Sequence, residues 1–393
     1  MAEAASEVIL YVVDAGGGHR ATANALVAAA AQRRYPFHLT VKSIRDVFAP
    51  LDVGRRLGGH GLEDIYNAMV RRQLTRHLVP LLRGFQWTIR VLRPRLVRMV
   101  AHDLRWHRPA LVISLFPNFN AVIAEGVRLA CPDTPFHVLL TDFADLPPHF
   151  WIERGAAGVI VATDEAARQA TDLGVPPERV TRTTGMVLHP RFYPRAAPDR
   201  RQRTRREMGL PEDEPVVLVL FGGKGSPEMV PLCEALLREA PQARVVAVCG
   251  DNPDLLFRVT RLAIDSYGRL RPLGFTDRVS DLMAASDLLL TKPGPGSLAE
   301  AFHLQVPVVV CCNAHTIPQE RFNVRFVESE GLGVAVDGWR DMAAAAGRLL
   351  ADPAALGVLR RNLARLPENR AVYEVLDFIA DAVADPAHAR SAS

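Results

Sequence analysis

Cysteine is scarce in this sequence and is not spaced for metal binding. The 393-residue chain has five cysteines, an odd number, and no two of them form a CxxC pair. This pattern disfavours both a disulfide framework and a zinc site. We expect all five thiols to be buried and reduced, at Cys131, Cys233, Cys249, Cys311 and Cys312.

Long apolar runs are also missing. No run approaches the roughly 20 residues that a membrane-spanning helix needs, and no basic segment leads into an apolar signal core at the N-terminus. Hydrophobic residues make up 49% of the chain and charged residues 23%, as in soluble globular proteins. We therefore expect a cytoplasmic protein, and the length predicts two domains.

Short β-rich runs alternate with helical patterns along the chain. This alternation predicts the α/β class, with two doubly wound parallel sheets covered by helices. Ten strands are expected, at residues 8–13, 37–44, 110–116, 135–142, 158–163, 215–222, 243–250, 270–275, 287–294 and 306–312. A stretch rich in proline, arginine and acids separates the halves. We therefore place the first domain at 1–195, a linker at 196–212 and the second domain at 213–368.

Arginine is concentrated in one part of the first half. Residues 55–108 contain twelve arginines, three acids and no lysine. Within 71–105 the arginines alternate with bulky apolar residues, a composition typical of a helix in an anionic membrane interface. An ordinary amphipathic helix with a solvated basic face fits the same pattern. Nucleic acid is a weaker interpretation, because no aromatic stacking pattern or recognised motif accompanies the charge.

The second half carries a glycine loop, "LFGGKGSPE", directly after a predicted strand. We expect Ser226 to cap the following helix, with Pro227 in its first turn. Glycine amides, a lysine charge and the helix dipole all suit a pyrophosphate. The loop matches neither GxGxxG nor the GxxxxGK[ST] phosphate loop, so a purely structural turn is the alternative. The candidate residues are Gly222, Gly223, Lys224, Gly225 and Ser226.

Two further stretches add to this candidate site. "TKPGPGSLAE" again runs from a strand through a Gly/Pro turn into a helix. Glu300 in this stretch can accept two hydrogen bonds from the vicinal diol of a ribose, although a capping-box acid is an alternative. "IPQERFN" carries amide and acid groups suited to sugar hydroxyls. Together the stretches indicate a nucleotide sugar, with candidate residues Gly294, Gly296, Ser297, Glu300, Gln319, Glu320 and Asn323.

These stretches belong to a longer set of motifs that includes "GGGHRATA", "TDFADLPPHFW" and "GMVLHPRFY". The set resembles the monogalactosyldiacylglycerol synthase and processive diacylglycerol glucosyltransferase branch of glycosyltransferase family 28, over roughly residues 10–330. The resemblance implies a GT-B fold: an acceptor-binding first domain, a UDP-sugar-binding second domain, and a last helix at about 369–385 that returns to the first. It also implies inverting transfer of a hexose from a UDP-sugar to a lipid such as diacylglycerol, at the inner membrane surface.

The resemblance also gives roles to residues of the first half, in an expected cleft between the domains. His19 becomes the expected base, because the positive end of a helix dipole disfavours the imidazolium and keeps the ring neutral. A structural histidine in a strand–helix turn is the alternative. Asp142 and Asp145 are a competing base, partners that orient His19, or caps of their own loop. His149 is the second candidate for a catalytic histidine, after His19, and its expected contact is the acceptor or the diphosphate. Phe275 joins the donor site, and the expected acceptor-binding residues are Gly17, Gly18, Thr141, Phe143 and Pro148.

The sequence departs from the family at two positions. Lys224 stands where these synthases usually have an acid, and Phe322 stands where they have a glycine, so the resemblance leaves the donor sugar open. No DxD motif follows a predicted strand, so we expect neither a divalent metal nor a cofactor besides the UDP-sugar co-substrate. The alternatives are a soluble or polyprenyl-linked acceptor, a non-catalytic UDP-sugar-binding protein, and a nucleotide-sugar epimerase.

Overall fold

The computed structural model describes residues 5–13, 17–51, 78–193, 199–313 and 316–385. The chain divides into two compact units. The first consists of Met1–Pro190 together with Asn369–Ser393, and the second consists of Arg191–Glu368.

The first unit is built on a six-stranded parallel sheet in the order β2-β1-β3-β4-β5-β6. Its strands are β1 Ser6–Val12, β2 Phe37–Ser43, β3 Leu111–Ser114, β4 Phe136–Leu139, β5 Gly158–Val161 and β6 Val180–Arg182. Its helices up to this point of the chain are α1 Gly18–Arg33, α2 Ile44–Phe48, α3 Leu78–Leu104, α4 Asn120–Ala130 and α5 Asp164–Asp172. Residues 8–12 are completely buried, because a parallel sheet is covered by helices on both faces.

The second unit repeats this architecture, with the strand order β12-β11-β10-β7-β8-β9. Its strands are β7 Val216–Leu220, β8 Arg244–Val248, β9 Leu270–Leu273, β10 Leu288–Thr291, β11 Val308–Cys311 and β12 Gly333–Val336. Its helices are α6 Arg200–Glu207, α7 Met229–Glu239, α8 Pro253–Ile264, α9 Val279–Ala285, α10 Pro295–His303, α11 Pro318–Ser329, α12 Trp339–Ala351 and α13 Pro353–Arg365. The chain then returns to the first unit as α14 Ala371–Ala384, which packs on α1 and buries Val375 and Ile379.

The doubly wound α/β class is confirmed, and each of the ten expected strands is present. The two strands that the sequence did not predict, β6 and β12, have three and four residues and lie at sheet edges. The expected linker differs more. Its residues 199–212 fold as part of the second unit, where the guanidinium of Arg205 is buried against the Asp287 carboxylate and four backbone carbonyls. An arginine-rich composition does not reveal such burial.

The described residues contain no single helix with the length and apolar character needed to cross a membrane. The consecutive helices α12 and α13 meet those criteria only as a pair, and the chain bends by 97° between them.

Strand order places the ends of particular loops side by side. In the second sheet β7 lies between β8 and β10. The chain adds β8 and β9 on one side of β7 and then crosses to the other side for β10, so the strand order reverses between β7 and β10. In the first sheet the reversal falls between β1 and β3. Ligands of doubly wound sheets bind outside the carboxyl ends of the strands at such switch points. A ligand-binding site is therefore expected at the loops after β1, β7 and β10.

Candidate functional site

The two glycine loops of the second unit begin at neighbouring positions of the sheet. Leu220 and Thr291 are partners in the β7–β10 register, and the Thr291 hydroxyl donates to the Leu220 carbonyl at 2.6 Å. The loops at 222–226 and 292–296 follow directly. Two stretches that are 70 residues apart in sequence thus meet at one edge.

The loop after β7 is open to a ligand. Gly222 and Gly225 have φ values of 77° and 58°, a left-handed backbone that favours glycine. A Cβ atom at Gly222 or Gly223 would meet nothing within 4 Å, and Lys224 is exposed. There is therefore open space beside Gly222 and Gly223 for a diphosphate, whereas the Gly225 N–H already donates to the Gly222 carbonyl at 3.2 Å.

The expected helix cap at Ser226 is wrong. Ser226, Pro227 and Glu228 form a turn, and α7 begins only at Met229 with no side-chain cap. The buried Ser226 hydroxyl donates to the Glu228 carboxylate at 3.2 Å. Because this acid lies at the start of α7, the helix dipole contributes less positive potential to the loop than the sequence suggests. The loop amides and Lys224 remain as anion-binding groups.

The loop after β10 leads into a helix that carries a largely buried carboxyl. Gly294 precedes α10, Pro295 and Gly296 occupy its first turn with Ser297, and Glu300 follows in the next turn. Burial raises the pKa of Glu300 to about 8, and the charge of Arg191 opposes this shift. No described residue donates a hydrogen bond to the Glu300 carboxyl, so the capping-box alternative finds no support in the geometry.

The third stretch packs against the loop after β10. Gln319 and Asn323 are buried in α11, and the Asn323 amide donates to the Pro293 carbonyl at 2.8 Å. A Cβ atom at Gly294 would lie 3.7 Å from the carboxylate of Glu320. Asn323 was expected to bind a sugar hydroxyl; its amide nitrogen holds the loop, so only its side-chain oxygen is left for that predicted role. The side-chain oxygens of Gln319 and Asn323 have no hydrogen-bond partner among the described residues.

Two aromatic residues of this half differ in their surroundings. Phe275, just after β9, is 77% exposed and offers a free ring face for stacking on a base. Phe322 is partly buried, with its ring centroid 6.3 Å from that of Phe326 and the Arg325 guanidinium 5.7 Å from the ring. Phe322 therefore contacts its own helix.

The first unit places His19 in a defined environment at the start of α1. Its Nδ1 lies 2.8 Å from the Thr141 hydroxyl, and its ring centroid lies 5.6 Å from that of Trp151. Burial lowers the pKa of His19 to about 4, against an opposing hydrogen bond to the Leu115 backbone. The ring is thus neutral near pH 7, as expected, but burial is the main cause and the helix dipole is not needed to explain it. Gly17 and Gly18, before it, are exposed.

The two candidate carboxylates of the "TDFADLPPHFW" stretch have different surroundings. Asp145 is 1% exposed and accepts backbone N–H groups of His149, Phe150 and Trp151 at 2.7–3.0 Å, so it is a cap of its loop. Asp142 accepts the indole N–H of Trp151 at 2.9 Å. Burial raises the pKa of Asp142 to about 6, the Trp151 hydrogen bond opposes the shift, and the Asp145 charge adds to it. Trp151 therefore contacts both Asp142 and His19.

Trp151 is the residue that sequence reasoning missed. It is the last residue of the quoted stretch and is 1% exposed; its indole N–H donates to Asp142 and its ring lies against that of His19. The other expected acceptor residues divide by exposure. Pro148 and His149 are exposed, and His149 has a φ of 63°. Phe143 is 3% exposed and Thr141 is 6% exposed, so both side chains are buried, and their binding of an acceptor stays a prediction.

The arginine-rich segment is described only from Leu78 onward, so residues 71–77 lie outside the described residues. From there it forms α3, which buries Ile89, Leu96 and Val100. The opposite face carries exposed Trp87, Val91 and Arg98. The exposed face of α3 thus carries both large apolar side chains and a basic one.

The part of the chain that contains both glycine loops matches a known protein family. Residues 216–338 match the glycosyltransferase family 28 C-terminal domain. This part of the chain is thus similar to a glycosyltransferase family 28 domain. The resemblance drawn from the motifs is therefore confirmed, and both glycine loops, Glu300 and the start of α11 lie inside the matched region.

Similarity to named relatives extends over most of the chain. It is 27% identical over 398 residues to a probable monogalactosyldiacylglycerol synthase 2 of Oryza sativa subsp. japonica, covering 96% of this chain and 80% of the relative. It is 26% identical over 374 residues to the processive diacylglycerol beta-glucosyltransferase of Bacillus subtilis, covering 91% and 90%. Among solved structures, HepE of Anabaena in complex with UDP and glucose is similar with a TM-score of 0.55 at 16% identity, covering 96% and 99%. That likeness supports the GT-B fold of this glycosyltransferase.

Proposed function

We propose that this chain is an inverting hexosyltransferase that moves a sugar from a UDP-sugar to a lipid acceptor such as diacylglycerol at the inner surface of the membrane. The observation that carries the proposal is the pairing of the two glycine loops with Glu300 at the switch point of a family 28 domain. The names of the relatives supply the acceptor class.

The second unit binds the donor in this proposal. The amides of Gly222, Gly223 and Lys224, together with the charge of Lys224, stabilise the diphosphate, whose negative charge grows as UDP leaves. The Glu300 carboxyl accepts hydrogen bonds from the ribose hydroxyls, and the Phe275 ring stacks on the uracil. Gln319 offers its buried, unpartnered side-chain oxygen to a sugar hydroxyl. These groups need no divalent metal, and turnover is expected to continue at full rate in EDTA.

The first unit activates the acceptor hydroxyl. In the tautomer in which the Nδ1–H of His19 donates to the Thr141 hydroxyl, Nε2 carries the lone pair that takes the acceptor proton. The acceptor oxygen then attacks the anomeric carbon, the bond from that carbon to the UDP oxygen breaks, and the acceptor proton passes to His19. In-line displacement of this kind inverts the anomeric centre, so an α-linked UDP-sugar gives a β-glycoside.

The exposed face of α3 gives the enzyme its access to lipid. Trp87 and Val91 can enter the interface while neighbouring arginines contact anionic headgroups. A soluble acceptor would need no such face, whereas a polyprenyl-linked acceptor is held in a membrane and would use it as diacylglycerol does.

UDP release tests the proposal directly. A panel of UDP-sugars is assayed with and without diacylglycerol in anionic vesicles, and release is expected with one sugar only when diacylglycerol is present. Sugar binding or slow hydrolysis that diacylglycerol never stimulates would overturn the lipid acceptor in favour of another acceptor. Binding without turnover under any condition would favour a UDP-sugar-binding protein.

A further inference from the structure

The turn between β8 and α8 packs directly against the glycine loop of the donor site. This turn consists of residues 249–252 and lies outside all of the sequence motifs described above. The backbone N–H of Asp251 donates to the Gly223 carbonyl at 2.8 Å, and the side-chain amide of Asn252 donates to the Lys224 carbonyl at 3.1 Å. Two successive carbonyls of the loop are thus held from one side.

The approach between the two turns is too close for a side chain. A Cβ atom at Gly250, whose φ is 65°, would lie 2.2 Å from the Gly223 carbonyl oxygen. On the facing side, a Cβ atom at Gly225 would lie 2.8 Å from the Cys249 carbonyl oxygen. Both positions need glycine for space as well as for conformation.

The direction of these hydrogen bonds decides where the loop amides point. In a planar trans peptide the C=O and the N–H point in opposite directions. Because the Gly223 carbonyl points toward Asp251, the N–H of Lys224 in the same peptide points away from it. Within the described residues that N–H donates to no backbone carbonyl. It is therefore held ready for a ligand.

We propose that Asn252 is a positioning residue for the donor: with the Asp251 amide, it fixes the 222–225 loop so that the Lys224 N–H faces the diphosphate of the UDP-sugar. The inference rests on the proposed function, since it assumes that this loop binds a diphosphate. Asn252 touches no substrate and acts through the Lys224 carbonyl.

Asn252 has a second task that a test must separate from the first. Its side-chain oxygen accepts the Leu255 N–H at 3.0 Å and so caps α8. Serine keeps a helix cap but is too short to reach the Lys224 carbonyl, whereas alanine loses both contacts. Asn252→Ser therefore isolates the contact to the loop, without adding a charge near the phosphate.

A matched control lies elsewhere in the same unit. The amide of Asn362 donates to the Gly331 carbonyl at 3.0 Å, in a turn that contains none of the candidate donor residues. Asn362→Ser removes a comparable side-chain hydrogen bond to a loop carbonyl. Its effect on stability is a measure of what such a contact contributes away from the donor site.

Calorimetric titration of the full chain with UDP, paired with melting temperatures, tests the proposal. Asn252→Ser and Asn252→Ala are both expected to weaken UDP binding about tenfold, since a fixed donor amide is lost, while only Asn252→Ala lowers the melting temperature appreciably. Asn362→Ser should bind UDP as the wild type does. In turnover assays the KM for the UDP-sugar should rise more than kcat falls.

The possible failures are distinguishable. Wild-type affinity in Asn252→Ser, or affinity losses that follow the melting temperature across all three variants, would overturn the positioning role. A wild-type protein that does not bind UDP would overturn the proposed function itself, and the role of Asn252 with it.

Discussion

Glu300 makes the stability of the second unit depend on pH. Its pKa is raised from the ordinary 4.5 to about 8 because the carboxyl is buried, even with Arg191 opposing the shift. Below about pH 4.5 the carboxyl is protonated in both the folded and the unfolded chain, so its ionisation does not affect stability. As the pH rises from 4.5 to 8, the unfolded chain ionises first, and the unfolding free energy falls.

The size of the effect follows from the displacement of the pKa. At about 1.36 kcal/mol per unit, a shift from 4.5 to about 8 corresponds to about 5 kcal/mol once the pH exceeds 8. Partial solvent contact of Glu300 makes this an upper limit. Glu300→Gln resembles the protonated carboxyl and cannot ionise. The variant should match the wild type near pH 4.5 and exceed it by about 3 kcal/mol near pH 6.5.

Urea titrations at pH 4.5, 6.5 and 8.5 measure the difference between variant and wild type. Hydrogen exchange of peptides within 216–311 reports on the second unit alone, which a signal from both units would not. Glu330→Gln, at an exposed position of the same unit, controls for the loss of one negative charge. A difference for Glu300→Gln that stays constant across the three pH values would refute the reasoning.

Three further outcomes are expected. His19→Ala should lower turnover about 100-fold or more with UDP affinity unchanged, and unaltered turnover would remove His19 as the base. Arg205→Met should destabilise the second unit by about 3 kcal/mol, because four backbone carbonyls lose their donor while Asp287 keeps its ion pairs with Arg201 and Arg360, whereas the exposed Arg203→Met should cost little; equal unfolding midpoints would contradict this. Cosedimentation with anionic vesicles should weaken with salt and fall further in Trp87→Ala and Arg98→Gln, and salt-independent binding would count against docking through α3.

Much of the fold was predictable because its signals are local. The strands are short apolar runs between turn residues, and the glycine loops follow them in chain order, so the pattern could be read without knowing any partner. The edge strand β6 escaped because three residues, Val180–Arg182, carry too little periodicity. The start of α7 was misplaced because serine followed by proline is typical of a helix start, while the turn at 226–228 delays the helix to Met229.

The site was predictable in its residues more than in their roles. Asp142 and Asp145 lie three positions apart in one motif, and spacing gave no means of separating a loop cap from a carboxyl bonded to Trp151. Asn323 has the chemistry to bind a sugar hydroxyl, yet its amide holds the Pro293 carbonyl from 30 residues away. Asn252 carries no recognisable motif, and its contact with Lys224 exists only because β7 and β8 are neighbours.

The sequence by itself determined the α/β class, the two glycine loops and the presence of His19 at the start of a helix, because each depends on residues within a few positions of one another. Only the tertiary structure decided which groups are buried and what they contact. His19 meets Thr141 across 122 positions of sequence, and that packing, with the loss of water around the ring, lowers its pKa. Burial and pairing of this kind depend on strand order, which no local pattern records.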